Sequence, residues 1–502
     1  MTNSAAEKNT RRKLIEDNLT DFIINEQGHF WWYGTEIPHN HFAPDEHVTG
    51  KLTVANTGAI NLELHGTISD AEQSTSYLAA ADKGRAPRAI QGIFKESGKH
   101  VLLLDAVRNG GTFNSDRFSY EKYIATFLIV GKEAPPKNLE GVKFSKFEVD
   151  LKGFEAWLNT GSIKVTRSTR TIKLSNRRLP DVPYQTPAGR LLLRHHLVDS
   201  RDGSPHHFKV TLHEFFSFQM RFKMPESADG VLSEWGVLQN LLILLTGTDY
   251  PLPWPSVTVS RSRNTFTLFF HRLSASDTPP TFRDCPVQFS SISASFGDIV
   301  TGWKDGVTTH GAGYFAFPAT KRKMTQYVEN KFSNLMYGME SLHRSKFGSQ
   351  PRDSKLQAKI DGILAQVDSK QRPWLQRALQ FQGEPSLKER LMELIKVVPM
   401  KLEGARLDDF TKRCADLRND IAHFGGRRTR ASTADFNLEV SRLSEALSVL
   451  YHMILLLEIG VSEELVRKWL ASGHQAFAIK YYFAEAGLLS RDEPSQKRKP
   501  AR

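Results

Sequence analysis

The 502-residue sequence predicts an α+β multidomain protein, a β-rich, mostly antiparallel N-terminal region followed by an all-α helical bundle. Two observations carry this. As far as His271, apolar side chains mostly alternate with polar ones, the period of a half-buried strand; from residue 319 they recur three and four apart, the period of an amphipathic helix. Length and composition agree. At about 100–200 residues per domain the chain holds two to four folding units. Its 40% hydrophobic and 24% charged residues supply real cores and exclude collagen, mucin and wholesale disorder.

The strands come in order. Val48, Gly50, Leu52 and Val54 alternate with polar neighbours, and after Asn56-Thr57-Gly58 the alternation resumes at Ile60, Leu62, Leu64 and Ile68, which describes a hairpin. Further strands are expected over 101–107, 123–131, 207–223, 256–260 and 265–271. The segment 231–247 is long, poor in β-branched residues and closed by Gly247, so it reads as a buried helix. Five amphipathic segments follow, at 324–348, 354–368, 385–399, 407–426 and 432–460, and a sixth at 462–487. The resulting division is a basic flexible N-terminus over 1–19, a β-rich region over 20–317 with room for two subdomains, a helical domain over 318–488 and a basic flexible tail over 489–502.

Charge is unevenly placed. Residues 1–318 carry 35 Lys and Arg against 33 Asp and Glu, whereas 319–502 carry 32 against 22, so nearly all of the net +12 lies in the C-terminal third. A basic domain attracts polyanions, which makes nucleic acid a natural partner, although solubility and the tail SQKRKPAR account for the same excess. Cys285 and Cys414 are too few for a disulfide framework or a cysteine zinc site, which fits a reducing compartment. The first 30 residues contain no apolar leader core, and the apolar runs 237–245 and 449–457 fall short of the ~18–20 residues that span a bilayer. A cytoplasmic protein without membrane contact is expected.

No phosphate-binding G-x-x-x-x-G-K-[ST], dinucleotide G-x-G-x-x-G, H-E-x-x-H or G-x-S-x-G motif occurs. His39, His41, His195, His196, His206 and His207 sit in strand ends and loops and read as ordinary histidines rather than metal ligands; no metal or cofactor is expected. One segment points to chemistry: Arg418-Asn419-Asp420-Ile421-Ala422-His423, then Phe424-Gly425-Gly426, Arg427, Arg428 and Arg430. Arginine and histidine with four to six residues between them also occur at Arg190/His195, Arg201/His206 and Arg467/His474, so context decides. The first pair falls on opposite faces of a strand, the second in a Gly/Pro loop, and Gly473 weakens the helix of the third.

Around Arg418 the context is different. Phe410, Cys414, Leu417, Ile421 and Phe424 form one apolar stripe, and beside it Thr411, Ala415, Arg418 and Ala422 form a second line whose small residues leave room for the guanidinium and for another helix. Positions 418 and 423 diverge by ~140° around a helix, so a bend or a second subunit must bring both to one phosphate. The chemistry these residue types suit is RNA cleavage by internal transesterification. The RNA 2′-hydroxyl supplies the nucleophile, imidazole moves protons near pH ~6.5, and guanidinium stabilises the crowded phosphate. Asn419 can bond a phosphate oxygen or fix the imidazole, and Arg427, Arg428 and Arg430 can hold flanking phosphates. Alternatively, Arg418 pairs with Asp416, Asp420 or another acid, and His423 only caps a helix.

The segment LRNDIAHFGG, ending the fourth of five helices, resembles the R-x(4–6)-H motif of HEPN-domain ribonucleases. The helix carrying YGMESLHRSK and the long helix after the motif are similar to HEPN domains of the ApeA type. HFWWYG, HVTGKLTV, INLELHGTI and FKESGKHVLLLDA resemble the β-rich domain that accompanies them in bacterial anti-phage proteins. The connection from Gln371 to Lys401 is a departure in detail. The resemblance implies a metal-independent endoribonuclease acting by abortive infection on host RNA, tRNA included, after an unidentified phage-derived trigger. It further implies a homodimer through the HEPN domain, Arg418 and His423 as catalytic residues, and an N-terminal sensor or restraint. The competing expectation is a non-catalytic HEPN-like protein that only docks RNA or a partner.

Overall fold

The computed structural model describes residues 22–68, 88–112, 119–138, 142–204, 207–273, 278–322, 327–348, 354–379, 384–424 and 432–490, leaving aside the side chains of 201–204, 207, 208, 423 and 424. The chain divides into two units. The first holds Met1–Lys152, Gly161–Gly236 and Pro251–Ser274, and the second Gly153–Thr160, Val237–Tyr250 and Ala275–Arg502. The fold is α+β, with an antiparallel β-rich N-terminal region and a helical C-terminal region.

The strands of the first unit are β1 (Phe22–Trp32), β2 (Val48–Ala55), β3 (Ile60–Leu64), β4 (Arg88–Phe94), β5 (His100–Thr112), β6 (Tyr120–Ala125), β7 (Phe127–Gly131), β8 (Phe144–Asp150), β9 (Lys164–Arg167), β10 (Ile172–Ser175), β11 (Val182–Gln185), β12 (Gly189–Ser204), β13 (His207–Glu226), β14 (Ser256–Val259) and β15 (Thr265–Phe270). Apart from the small β9–β10 ribbon they form one sheet, β11-β12-β13-β8-β14-β15-β7-β5-β4-β1-β2-β3-β6, and β6 pairs back on β5. That last pairing closes β5-β4-β1-β2-β3-β6 into a six-stranded barrel. Its interior is the apolar half of each alternating strand, including Phe30, Leu52, Val54, Ile60, Leu62, Leu64, Ile90, Val101, Leu103 and Tyr123. The expected hairpin is present, β2 on β3 with Leu52 opposite Leu62. Its turn requires glycine, because Gly58 has φ +82° and a Cβ there would lie 2.0 Å from the carbonyl oxygen of Phe270.

β6 and β7 run against β5 as one long arm, from His100 opposite Gly131 to Thr112 opposite Tyr120. At Thr126 the arm changes its other partner. Ala125 faces Ile60 of β3, whereas Phe127 faces Phe270 of β15. Asp105, at φ +53°, marks the matching kink in β5. The barrel therefore opens into the rest of the sheet along a shared strand.

The helices are α1 (Glu155–Leu158), α2 (Ala228–Thr246), α3 (Phe289–Ile292), α4 (Phe296–His310), α5 (Ala312–Lys321), α6 (Val328–Phe347), α7 (Ser354–Gln366), α8 (Arg372–Ala378), α9 (Leu387–Ile395), α10 (Gly404–Phe424), α11 (Thr433–Glu458), α12 (Glu463–Ser472) and α13 (Ala476–Glu485). The division drawn at 317/318 from the sequence lies inside α5. Contacts assign α4, α5 and the segments 153–160 and 237–250 to the helical unit. The sixth expected helix is two, α12 and α13, because Gly473 adopts an extended conformation (φ −65°, ψ 161°) and stops α12.

α11 is the axis of the helical unit and packs on α4, α5, α6, α9, α10, α12 and α13. It is long and apolar enough to cross a membrane, yet 72% of its most apolar window is buried, as in a core helix. Close helix contacts depend on glycine. A Cβ on Gly338 of α6 would lie 2.5 Å from both Ala316 Cβ and Tyr451 Oη. Gly338→Val is therefore expected to destabilise by about 1–3 kcal/mol, read as a lower urea midpoint.

His452 of α11 is buried, and its Nε2 donates to the Leu244 carbonyl at 2.5 Å. Burial first, and then the charge of Lys321, push its pKa down to about 3. The unfolded imidazole takes a proton near pH ~6.5, so this residue's contribution is complete above that pH and is lost as pH falls toward the folded value. Between pH 7 and 5 the urea midpoint should fall more for the parent than for His452→Gln.

Candidate functional site

α10 carries the motif, and the apolar stripe read from the sequence anchors it. Phe410 and Cys414 are fully buried and Leu417 nearly so, whereas Ile421 is only half-buried. Leu417→Ala is expected to cost about 2–5 kcal/mol, measured by denaturant unfolding. The smaller burial of Ile421 makes its truncation the milder of the two.

The second line is occupied within the chain. Thr411 and Ala415 are buried, and Thr411 Oγ1 donates to the Leu407 carbonyl at 2.8 Å. At Arg418 the approaching helix is α6 of the same chain. Arg418 Nη2 stands 3.8 Å from Glu340 Oε2, and its Nη1 donates to Asn419 Oδ1 at 3.4 Å. The acid that meets Arg418 is thus Glu340. Neither contact is a short charge-assisted bond, and 38% of the Arg418 side chain is exposed. The guanidinium is positioned and still accessible to a phosphate.

Glu340 belongs to a longer network. Its Oε1 accepts from Arg344 Nε at 3.0 Å, and Arg344 Nη1 donates to Glu384 at 2.9 Å. Burial lowers the Arg344 pKa, but bonds to Glu340 and Glu384 outweigh it and leave it raised. Glu384 also accepts from Arg390 Nη2 at 2.8 Å, and Arg390 Nε donates to the Pro385 carbonyl at 2.9 Å. Arg390 is 3% exposed, and its Nη1 reaches His343 Nδ1 at 3.3 Å. A guanidinium only donates, so His343 Nδ1 is the acceptor, and its Nε2–H donates to Glu393 at 2.8 Å. His343 is committed on both nitrogens, which removes it as a proton carrier for substrate.

α10 runs unbroken from Gly404 through Phe424, the last described residue before the Gly425-Gly426 pair that was expected to stop it. With no break between them, positions 418 and 423 keep their ~140° divergence. The His423 side chain, the Gly425-Gly426 pair and Arg427, Arg428 and Arg430 lie outside the described residues. The rival pairs separate. Arg190 is exposed and His195 buried on opposite faces of β12, and His206 lies outside the described residues. α12 ends at Ser472, and His474 packs edge-on against Phe282 with ring centroids 5.6 Å apart. Among the described residues no three His, Cys, Asp or Glu side chains cluster as a cation site. His195 pairs with Glu214 at 2.7 Å and His196 with Glu148 at 3.1 Å.

Sequence reasoning missed Glu340, Arg344, Glu384, Arg390 and Glu393. Two signals were available. Glu340 and Arg344 stand four apart in MESLHR, and Arg390 falls on the apolar face of α9 among Leu387, Leu391 and Leu394, where an unpaired arginine would be costly. The connection that departs from the expected pattern, Gln371 to Lys401, contains α9 and thus supplies half of this network.

A helical bundle with an Arg-x4-His helix at its heart, joined to an antiparallel barrel and sheet, defines a HEPN-type protein. Residues 26–303, more than half of the chain, match the family ApeA N-terminal domain 1, and residues 333–465 match Apea-like HEPN. The chain belongs to the ApeA-like HEPN family of anti-phage defence proteins, whose HEPN domains are commonly nuclease-like. No curated protein and no solved structure matches it.

Proposed function

We propose that this protein is a metal-independent endoribonuclease that cleaves RNA, tRNA included, by 2′-hydroxyl attack, and that it defends a bacterial cytoplasm by abortive infection. The observation that carries this is Arg418, held by Glu340 and Asn419 at the end of α10 yet 38% exposed and without a short ion pair. The guanidinium stabilises the pentacoordinate phosphorane. His423 moves the proton, and Asn419, Arg427, Arg428 and Arg430 hold the flanking phosphates.

One motif offers one imidazole, whereas the reaction uses a base at the 2′-oxygen and an acid at the leaving 5′-oxygen. The active unit in this reading is a homodimer through the HEPN bundle, in which a two-fold axis beside Arg418 and Ala422 brings a second His423 to the same phosphate. Thr411 and Ala415 are covered by the chain itself, which confines the axis to the C-terminal end of that line. The N-terminal unit restrains the nuclease until a phage-derived trigger arrives.

Purified protein incubated with total RNA in EDTA should yield 2′,3′-cyclic phosphate and 5′-hydroxyl ends, because the substrate supplies the nucleophile and imidazole the proton transfer. Products with 5′-phosphate, or activity lost on chelation and restored by magnesium, would overturn the mechanism. Co-expressed Arg418→Ala and His423→Ala chains test the shared site. A fully active monomer in light scattering would refute it.

A further inference from the structure

The open part of the sheet has two unlike faces. One is apolar, with Leu191, Met220, Phe147 and Val257 in one row across β12, β13, β8 and β14, all buried. On the other face, one row reads Arg190, Arg221, Lys146 and Thr258. Three cations stand directly opposite one another on three adjacent strands, with neighbouring Cα atoms about 4.5–5.5 Å apart. Like charges so placed repel and destabilise a sheet. Arg190 and Lys146 have no ion pair among the described residues, and Arg221 Nε donates to Gln219 Oε1 at 2.7 Å, which leaves its charge uncompensated.

The next rows on the same face do not supply the missing anion: Asp150, opposite Ser217, has His196 and Lys152 as its neighbouring cations rather than the three of the row. Glu148 is taken up by its own partners, accepting from Ser217 at 2.6 Å, from Gln219 at 2.7 Å and from Arg194 at 2.9 Å, and it contacts His196 at 3.1 Å. Burial raises its pKa, but these bonds and charges outweigh that and hold it lowered, so it stays ionised and spent on Arg194 and His196. Asp181 also pairs with Arg194, at 3.4 Å. Beyond them, His196 stacks on Phe215 with centroids 4.7 Å apart and planes 10° apart, both half-buried.

We infer that this face of the N-terminal unit binds single-stranded nucleic acid, with Arg190, Arg221 and Lys146 on the phosphates and the His196–Phe215 stack beside the bases. A line of unpaired cations matches a chain of phosphates, and the stacked rings add the sequence-tolerant platform that a strand of bases uses. An acidic protein would satisfy the cations but has no use for the stack. The inference does not depend on the cleavage chemistry.

The test is fluorescence anisotropy of the full chain with a labelled oligothymidylate DNA, which lacks the 2′-hydroxyl and is not cut by a 2′-attack, so cleavage and binding are read apart. For Arg190→Gln/Arg221→Gln/Lys146→Gln, affinity should fall by about tenfold or more at low salt, and the log–log salt slope should flatten by roughly two, as expected for three lost contacts on a single strand. Phe215→Ala should weaken binding without changing the slope. The triple variant should melt at or above the parent, since repulsion is removed. Unchanged affinity and slope would overturn the inference, as would a lower melting temperature, which would show that the cations serve the fold. If the triple variant kept the oligonucleotide but lost polyglutamate, the surface would belong to an acidic protein.

Discussion

His423→Ala is expected to lower RNA cleavage by about 10²–10⁴-fold, the range that a positioned acid–base group supplies. Growth arrest and phage protection should disappear with it. Arg418→Ala should do the same through lost stabilisation of the phosphorane, by about 10²–10³-fold. Both variants should keep the parent's circular dichroism and melting, because positions 418 and 423 stand beside the apolar stripe of α10 rather than in it, and the hydrogen bond and ion pair of Arg418 are long, at 3.4 and 3.8 Å. A fully protective His423→Ala chain would instead establish the docking reading, in which Arg418 clamps a phosphate and no imidazole is needed.

The largest loss of stability is expected at Arg390, which is outside the motif. Arg390→Ala leaves Glu384 with one fewer cation and strips His343 and the Pro385 carbonyl of a donor in a buried setting. Breaking a buried ionic group of this kind costs about 3 kcal/mol or more. Arg390→Lys should rescue little of it, since an ammonium cannot present the fork that serves Glu384, His343 and Pro385 together. Chemical unfolding of the two variants decides the point. Equal stability of Arg390→Ala and parent would show that the network is ornament on a self-sufficient apolar core.

What was legible in the sequence was what repeats locally. Strands with one face inward, such as β2 and β3, and helices with one stripe, such as α6 and α10, announced themselves by period. β4 was missed because it is buried on both faces through Gln91, Gly92 and Ile90 and shows no alternation. β12 was missed because Leu191, Leu192 and Leu193 are all covered. That 153–160 and 237–250 join the helical unit was not legible, because they do so through contacts that no local pattern records. At the site, Arg418 and its place on an amphipathic helix could be read from spacing. Glu340 and Arg390 left only the faint signals of an i,i+4 pair and a cation on an apolar face, and what joins them into one network, Arg344 to Glu384 and Arg390 to His343, spans 40 and 47 residues that only the packed helices bring together.

The change of partner at Thr126 sets an order of events during synthesis. Every strand of the barrel lies between Phe22 and Ala125, and the arm that carries it into the open sheet ends at Gly131. The strand that must dock on that arm, β15, begins only at Thr265. Contacts close in sequence form before distant ones, and domains emerge from the ribosome N-terminus first. The barrel can therefore close while β7 still offers a bare edge, and that edge waits for more than a hundred further residues of chain. Any ribosome stalled in this interval would present β7, FLIVG, as an unpaired and apolar edge, the kind of surface to which chaperones and stray strands attach.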